Sequence, residues 1–288
     1  MKKEKTNATS SKTQFAETGS GAIAYRMIGE GDPIILCPRF RGNLDCWDPA
    51  FLDALAKKHK VVTFNYRGFG SSTRKPASTM IDFGSDVMDL AATLGIERFI
   101  LCGWSFGGGV AQTIAMEHPD IISHLILIGT RPPGKPLHDT EPLFYDIAWT
   151  PNNTLEHEEI LFFEPAWEAS RAAALRSHNR IAARMKDPDM FIPPLLWDHY
   201  VKGFQSFAED RPNTLSKMKE TTMPVLVISS DHEICFPPEN WFALNRQLPT
   251  TQVIVIPKTG HGVHHEYPKL ISKYMTSFIK NFNSDDSN

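Results

Sequence analysis

The sequence predicts an α/β protein with a mostly parallel central sheet and helices on both faces. Two observations carry this prediction: strand-like and helical patterns alternate along most of the chain, and several strand-like runs are continuously apolar. Continuous apolar runs are typical of strands covered on both faces of a parallel sheet, and strand–helix alternation favours parallel neighbours. The length of 288 residues is equally compatible with one large α/β domain with an insertion and with two domains.

The individual elements follow from the periodicity of apolar residues and from flanking glycine and proline. Strands are predicted at 21–28, 33–38, 60–64, 98–102, 124–129, 224–229 and 252–256. Helices are predicted at 47–58, 81–95, 106–118, 238–247 and 267–281.

The alternation stops between 131 and 220, a segment that holds 10 of the 21 prolines and no convincing strand. We expect a mostly helical lid there, with a long helix at 166–186 whose arginines form a solvated face. The domain plan is then a core of 14–130 and 221–282, a lid of 131–220, and disordered tails at 1–13 and 283–288. The lid aromatics that we expect to form an apolar substrate pocket, with simple packing of the lid as the alternative for each, are Trp149, Phe162, Phe163, Trp167 and Trp197.

Composition excludes several classes of partner. With 30 basic and 33 acidic residues, the net charge of −3 gives no general attraction to nucleic acid or anionic membranes. No stretch approaches the roughly 18 apolar residues of a membrane span, and no apolar segment follows the basic N-terminus as in a secretory signal. The four cysteines lack CxxC spacing, so we expect a reduced, cytoplasmic setting. From the charge balance and the lack of an apolar span we expect no nucleic-acid or membrane partner.

The most specific motif is Gly103-Trp104-Ser105-Phe106-Gly107, which follows a strand-like run and precedes a helical pattern. Gly-x-Ser-x-Gly between a strand and a helix is the pattern of a nucleophile elbow. The turn is so tight that the residues two positions either side of the serine need to be nearly free of side chain, and the helix N-terminus favours developing negative charge. We therefore predict Ser105 as a nucleophile.

A serine hydroxyl needs a base, and the sequence offers a histidine on the loop after the last strand. His261 is the candidate, with His264 and His265 as rivals that we expect to be supporting or surface residues. A three-histidine metal site is disfavoured because no acidic or cysteine ligand completes a recognised spacing. For the acid that orients the base, Asp231 and Glu233 both follow the strand at 224–229.

The elbow and the chain order of serine, acid and histidine resemble the α/β-hydrolase fold family, in particular its lidded serine hydrolases, over residues 20–282. Segment 33–47 is similar to the family's strand, His-Gly turn and tryptophan segment, with Pro38-Arg39 in place of His-Gly. Segment 65–72 is similar to its Asp-x-Arg-Gly-x-Gly-x-Ser turn, with Asn65 for Asp, and segment 260–268 to its histidine loop.

The resemblance implies an α/β-hydrolase fold with a helical lid inserted after strand six, and an oxyanion hole formed by the backbone N–H groups of Phe40 and Phe106. It also favours Glu233 as the acid, because the family places this residue four positions before a proline, as Glu233 precedes Pro237. Asp231 remains the alternative.

Two residues beside these motifs, Trp104 and Arg39, are further candidates for substrate binding. For Arg39 the possibilities are a gate, a group that binds a substrate carboxylate, and a surface ion pair.

Together these residues predict a serine hydrolase that cleaves a small or medium, largely apolar carboxylic ester or lactone through an acyl-enzyme, with no cofactor or metal. Relatives of this fold that carry aspartate at the elbow, the dehalogenases and epoxide hydrolases, are excluded by Ser105. A ligand receptor with slow turnover, a cofactor-free perhydrolase and a hydrolase of carbon–carbon bonds remain alternatives. The sequence does not indicate the oligomeric state.

Overall fold

The computed structural model describes residues 7–19 and 21–282, which form one eight-stranded sheet in the order β1-β2-β4-β3-β5-β6-β7-β8. The strands are β1 (Gln14–Thr18), β2 (Gly21–Ile28), β3 (Asp32–Cys37), β4 (His59–Phe64), β5 (Phe99–Trp104), β6 (Ile122–Ile128), β7 (Val225–Ser230) and β8 (Thr251–Ile256). Strands β3 to β8 pair in parallel, while β2 pairs antiparallel with both β1 and β4. The mostly parallel α/β fold is therefore as predicted.

Helices cover both faces of the sheet and enclose two apolar cores. The core helices are α1 (Pro49–Leu55), α2 (Met80–Thr93), α3 (Phe106–Glu117), α9 (Glu239–Phe242), α10 (Val263–Glu266) and α11 (Pro268–Asn281). One core packs α2 and α3 against the sheet, and the other packs α1 and α11 against the opposite face. No helix in the described part of the chain is both long and apolar enough to cross a bilayer.

Two elements differ from the sequence prediction. Strand β1 was not predicted; it lies at the edge of the sheet, where one side chain, Phe15, is 53% exposed and the apolar signal is weak. The helix expected at 238–247 has only the four residues of α9. The chain beyond it continues as turns that are closed by hydrogen bonds between residues three apart, such as Asn245 to Phe242 and Gln247 to Leu244.

The predicted disordered tail at 1–13 is folded in its second half. Ala8 is buried, and its N–H donates to Asp53 at 2.8 Å while its carbonyl accepts from Arg184 at 2.6 Å. The expectation of disorder is therefore wrong for 7–13, because long-range hydrogen bonds compensate for the polar local composition. The rest of that tail, 1–6, and the tail at 283–288 lie outside the described residues.

Five helices lie between β6 and β7, in the segment where the lid was expected. They are α4 (Pro142–Ala148), α5 (Leu155–Phe162), α6 (Glu168–Ala182), α7 (Trp197–Glu209) and α8 (Thr214–Glu220).

Helix α6 is bound to the core by charged groups rather than lying free. Asp48, fully buried, caps the N-terminus of α1 and accepts from Arg180 through both carboxylate oxygens, at 2.9 Å and 2.5 Å. Just beyond the end of α6, Nε of Arg184 lies 3.3 Å from Oδ1 of Asp45. The solvated face that we expected for the arginines of this helix is therefore wrong for Arg180 and Arg184, which hold it to the core.

A second polar contact explains one departure from the family pattern. Asp189, in the loop after α6, accepts hydrogen bonds from the Asn65 side-chain amide at 2.7 Å and from the Ser71 hydroxyl at 2.6 Å. An aspartate at position 65 would set two carboxylates against each other, which raises the cost of burying either. The asparagine there supplies the donor that this lid–core contact needs.

Candidate active site

The serine at the elbow sits in a strained backbone conformation between β5 and α3. Ser105 has a φ angle of 57°. Non-glycine residues rarely adopt this conformation, and those that do cluster at functional sites. A Cβ on Gly103 would lie 2.2 Å from the carbonyl oxygen of Gly107, and one on Gly107 would lie 2.1 Å from the carbonyl oxygen of Cys37. Only glycine fits at either position, so the spacing of the motif is a direct consequence of the tight turn.

Ser105 lines a small, partly open cavity at the carboxyl edge of the sheet. Its volume is about 20 Å³, room for roughly one water molecule. Core and lid both contribute to its wall, which is lined by Arg39, Phe40, Arg41, Ser105, Phe144, Ala148, Asn153, Leu161, Phe162 and His261. The serine and the predicted base therefore share one cavity.

His261 is held by a buried carboxylate. Its Nδ1 lies 2.8 Å from both Oε1 and Oε2 of Glu233, and the two side chains are 1% and 0% exposed. Glu233 Oε1 also accepts from the backbone N–H of Cys235 at 2.9 Å and of Phe236 at 3.2 Å. This network fixes the carboxylate, and an imidazole that donates its Nδ1–H to Glu233 keeps the lone pair of Nε2 free to accept a proton.

The rival acid lies elsewhere. Asp231 accepts from the backbone N–H of Lys258 at 2.7 Å and of Thr259 at 3.4 Å, in the turn that follows β8. Its side chain is 39% exposed and approaches His232 rather than His261. The structure therefore brings Glu233, and not Asp231, to the predicted base.

The two other histidines of the loop are buried among aromatic rings, not exposed. The His264 ring lies 4.4 Å from the Trp104 ring and 5.0 Å from Phe51, and neither of its nitrogens has a hydrogen-bond partner in the described part of the chain. Burial lowers the pKa of His264 well below its ordinary value and lowers the pKa of His265 to about 4. No metal-binding group of three or more His, Cys, Asp or Glu occurs among residues 7–19 and 21–282.

Of the five lid aromatics that the sequence analysis proposed for the pocket, one lines the cavity. Phe162 is buried and its ring lies 6.3 Å from His261. Trp149 and Trp197 pack against each other at 5.8 Å behind Phe40, outside the cavity wall. Phe163 is buried away from the wall; its carbonyl oxygen would lie 2.3 Å from a Cβ on Gly260.

The remaining lid tryptophan was wrongly expected in the pocket. Trp167 is 40% exposed and lies under the Lys258 ammonium at 4.0 Å, outside the cavity wall. The wall residues that the sequence did not indicate are Arg41 of the core and the lid residues Phe144, Ala148, Asn153 and Leu161. These lid residues follow no motif, and only the folding of the lid brings them to the serine.

The positions of Trp104, Phe106 and Phe40 relative to the cavity differ. Trp104 is fully buried under the cavity, where its Nε1–H donates to the His261 carbonyl at 3.3 Å. Phe106 is the first residue of α3, and an N–H group in the first turn of a helix has no acceptor within that helix. Phe40 lines the cavity directly.

Arg41, beside Phe40, is a contact that the sequence analysis missed. Its guanidinium donates to the carbonyls of Ala148, Thr150 and Pro151 at 2.7–2.8 Å and lies over the Trp197 ring at 4.1 Å. It therefore ties the end of α4 to the loop that follows β3. The only sequence signal for this role is the second arginine of Arg39-Phe40-Arg41.

The cysteines do not compete with Ser105 as nucleophiles. All four are free and buried. Burial raises the pKa of Cys46 to about 12 and also raises the pKa values of Cys37, Cys102 and Cys235. A protonated thiol is a poor nucleophile, because the thiolate is the reactive form.

Comparison with known proteins agrees with this geometry. Residues 32–268 match the family model for the alpha/beta hydrolase fold. A putative 2-succinyl-6-hydroxy-2,4-cyclohexadiene-1-carboxylate synthase from Bacillus subtilis is 24% identical, with 91% of this chain and 97% of the relative covered. The proline iminopeptidase PfmaB from Pestalotiopsis fici is 25% identical over 93% of this chain and 99% of its own. A solved alpha/beta hydrolase fold protein from Chitinophaga pinensis superposes with a TM-score of 0.84 at 24% identity, covering 96% of this chain and 100% of that one.

Proposed function

Because this chain belongs to the α/β-hydrolase family, we propose that it is a serine hydrolase that cleaves a small or medium, largely apolar carboxylic ester or lactone through an acyl-enzyme. The observation that carries the proposal is the arrangement at the cavity. Ser105, on its strained elbow, lines the same cavity as His261, whose Nδ1 is hydrogen-bonded to the buried Glu233.

The chemistry follows from the roles of these three groups. Ser105 Oγ attacks the carbonyl carbon while His261 Nε2 takes the hydroxyl proton, and Glu233 stabilises the imidazolium that forms. The backbone N–H groups of Phe40 and Phe106 stabilise the oxyanion; a donor of this kind is typically worth roughly 100- to 1000-fold in rate. The imidazolium then protonates the leaving alcohol, and a water activated by His261 releases the acid from Ser105.

The preference for an apolar acyl group is supported by the composition of the wall. Phe144, Ala148, Leu161 and Phe162 present apolar surface to the cavity. Because the cavity of about 20 Å³ has room for roughly one water, an ester enters only when lid side chains move aside. We therefore expect the helices α4 and α5 to set the size of the acyl group that is accepted.

The decisive test is covalent labelling combined with turnover. A fluorophosphonate should label the wild-type protein and not the Ser105→Ala variant, and a p-nitrophenyl ester should be turned over repeatedly by the wild type alone. Labelling with a single burst and no turnover would instead favour the slow receptor. Full esterase activity in the Ser105→Ala variant would overturn the proposal.

A perhydrolase and a carbon–carbon hydrolase would use the same serine on different substrates. Hydrogen peroxide in place of water as the acyl acceptor would reveal a perhydrolase, and cleavage of an activated carbon–carbon bond with inert esters would reveal a carbon–carbon hydrolase. A panel of esters and lactones of graded chain length, assayed beside these two reactions, separates them. The synthase and the iminopeptidase among the relatives make such a panel necessary, since their names imply different substrates.

A further inference from the structure

Two arginines in the cavity wall are not used by the mechanism above; Arg41 is bound to three lid carbonyls, whereas Arg39 is not. The Arg39 guanidinium lies over two aromatic rings, with its central carbon 4.7 Å from the centroid of Phe162 and 5.3 Å from that of Trp104. It lines the same cavity as Ser105 and His261. Stacking on rings fixes the plane of a guanidinium and leaves its N–H edge free to bind an acceptor.

Within the described residues, this guanidinium has almost no partners. Its one hydrogen bond there is donated to the carbonyl of the adjacent Phe40, at 2.7 Å, and its buried Nε finds no acceptor in the same part of the chain. Among residues 7–19 and 21–282, no carboxylate lies within ion-pair distance of it, in contrast to the paired arginines of the lid–core contact, Arg180 and Arg184. Arg39 is partly exposed while its Nε is buried, and a charge that is partly shielded from water gains most from an anionic partner, so the guanidinium is available to bind an anion.

The electrostatics of the surroundings agree with an uncompensated positive charge. Burial lowers the pKa of Arg39, and the positive charge of Arg39 contributes to the lowered pKa values of His264 and His265 beside it. The charge of Glu158 partly offsets this lowering of the Arg39 pKa, but its carboxylate lies beyond ion-pair distance of the guanidinium. Oε2 of Glu158 instead lies 2.9 Å from Nδ1 of His178. The surface ion pair considered from the sequence is therefore wrong for Arg39.

We propose that Arg39 binds a carboxylate of the substrate, so that the natural ester or lactone is an apolar or aromatic compound carrying one carboxylate besides the group that is cleaved. This inference rests on the proposed hydrolase function for its catalytic consequence. The edge of the guanidinium matches a carboxylate with two parallel hydrogen bonds, which orients the substrate as well as attracting it. The apolar wall residues Phe144, Ala148 and Leu161 would receive the apolar body of the same molecule.

The test uses matched pairs of esters that differ only in charge. The alcohol side is probed with 3- and 4-acetoxybenzoate against the corresponding acetoxybenzamides, and the acyl side with monoethyl isophthalate and terephthalate against the corresponding ethyl carbamoylbenzoates. In each pair a carboxylate is replaced by an amide of the same shape. The quantity measured is the ratio of kcat/KM for the carboxylate to that for its amide.

We expect at least one pair to favour the carboxylate in the wild type, and the ratio to fall roughly 10- to 100-fold in Arg39→Gln, the range for hydrogen bonds to charged groups. Arg39→Lys, which keeps the charge but not the planar edge, should lie between the two. The amide ester of each pair is the internal reference for any general effect of the substitution on turnover, and thermal unfolding shows whether the variants fold.

Arg131→Met is the matched control, since Arg131 is a buried arginine that donates to backbone carbonyls and lies 5.0 Å from the Phe207 ring outside the cavity. The ratio should not change in this variant. A ratio near one for all four pairs in the wild type, or a ratio unaffected by Arg39→Gln, would overturn the inference and leave the hydrolase proposal intact.

Binding to the Ser105→Ala variant separates the inference from the proposed function. Calorimetric titration should show that at least one carboxylate binds more tightly than its amide, and that this difference disappears in the Ser105→Ala, Arg39→Gln double variant. A protein that binds carboxylates in this way without cleaving any ester would refute the hydrolase and keep the anion site. Equal binding of carboxylates and amides would refute the anion site. If Arg39 acts only as a gate, Arg39→Gln would change the turnover of both members of a pair equally.

Discussion

The catalytic edge of the sheet and the lid above it are held together by different means. At the edge, backbone geometry dominates: a strained serine, two glycines with no room for a side chain, and a loop whose histidine is fixed by one buried carboxylate. The lid is held by long-range contacts. Arg41 of the core donates to carbonyls of the lid, Arg180 and Asp189 of the lid bind core side chains, and buried apolar lid residues pack into the two cores.

This difference separates two functions of the molecule. Close backbone contacts of the elbow, including that of Gly107 with the Cys37 carbonyl, hold Ser105 with little freedom, as the proposed attack on a carbonyl requires. The lid contributes Phe144, Leu161 and Phe162 to the cavity wall, so we expect its position to affect which molecules reach Ser105. Substitutions at the edge should therefore affect the chemical step or the fold, and substitutions at the lid contacts should affect binding and local stability.

The largest effect should come from the acid of the catalytic edge. Glu233→Gln keeps the shape of the side chain but removes the charge that stabilises the His261 imidazolium, and we expect kcat to fall by up to roughly 10⁴-fold. Asp231→Asn, two residues away, changes a side chain that binds the turn after β8 and should stay within about tenfold of the wild type. Steady-state kinetics of the two variants measure both effects. A large loss of kcat in Asp231→Asn alone would contradict the assignment of Glu233 as the acid.

The next effect tests how strictly the backbone limits the elbow. Gly107→Ala puts a Cβ 2.1 Å from the Cys37 carbonyl, where only backbone could move away, so we expect a loss of roughly 3 kcal/mol in the free energy of unfolding. Gly19→Ala is the control, because nothing in the described chain lies within 4 Å of its Cβ, and its change should stay within about 0.5 kcal/mol. Denaturant unfolding measures both, and an unchanged midpoint for Gly107→Ala would show that the elbow is less constrained than its contacts imply.

A smaller effect is expected at the contact between lid and core. Arg180→Met leaves the fully buried Asp48 with its capping bond to Ala50 but without the cation that it binds; because Arg180 is itself 31% exposed, we expect a loss of about 2 kcal/mol rather than the 3–5 typical of a fully buried pair. KM should rise more than kcat falls, since the lid and not the triad is disturbed.

Arg171→Met on the same helix removes an exposed side chain that donates to the nearby Pro165 carbonyl, and should be close to neutral. Thermal unfolding and ester kinetics of the two variants provide the measurement. Equal effects of the two arginines would mean that the Asp48 contact does not hold the lid.

The effect with the least consequence at neutral pH concerns acid sensitivity at the base of the catalytic edge. The pKa of His264 is lowered in the folded protein by burial, so the unfolded chain binds the additional proton, and stability declines as pH falls below the ordinary histidine value of about 6.5. His264→Leu removes the imidazole that binds this proton. The slope of the unfolding free energy against pH, between pH 6.5 and 4, should therefore decrease by up to about 1.4 kcal/mol per pH unit.

Part of the slope should remain in this variant, because the pKa of His265 is also lowered, to about 4. His138→Gln, at an exposed position, serves as the control and should leave the slope unchanged. Urea titrations at several pH values provide the curves. A slope in His264→Leu as steep as in the wild type would show that His264 does not contribute to the acid sensitivity.

Features that depend on local backbone conformation and on periodic burial could be predicted from the amino-acid sequence. The parallel sheet follows from continuous apolar runs, and the elbow follows from glycines two residues either side of Ser105, because no other residue fits that turn. The sequence also narrowed the acid to Asp231 and Glu233. The error at the N-terminus, where Ala8 is buried against α1, arose because a polar segment can fold when distant partners bind its backbone.

Features that depend on contacts between distant segments required the folded chain. Glu233 rather than Asp231 faces His261, because the turn after β8 supplies the backbone donors that bind Asp231. The cavity wall combines side chains from α4 and α5 with the loop after β3, an arrangement that no periodicity encodes. That Arg39 has no ion-pair partner among the described residues is likewise evident only in the folded chain. Whether a charged side chain is paired depends on what the whole fold brings within ion-pair distance of it.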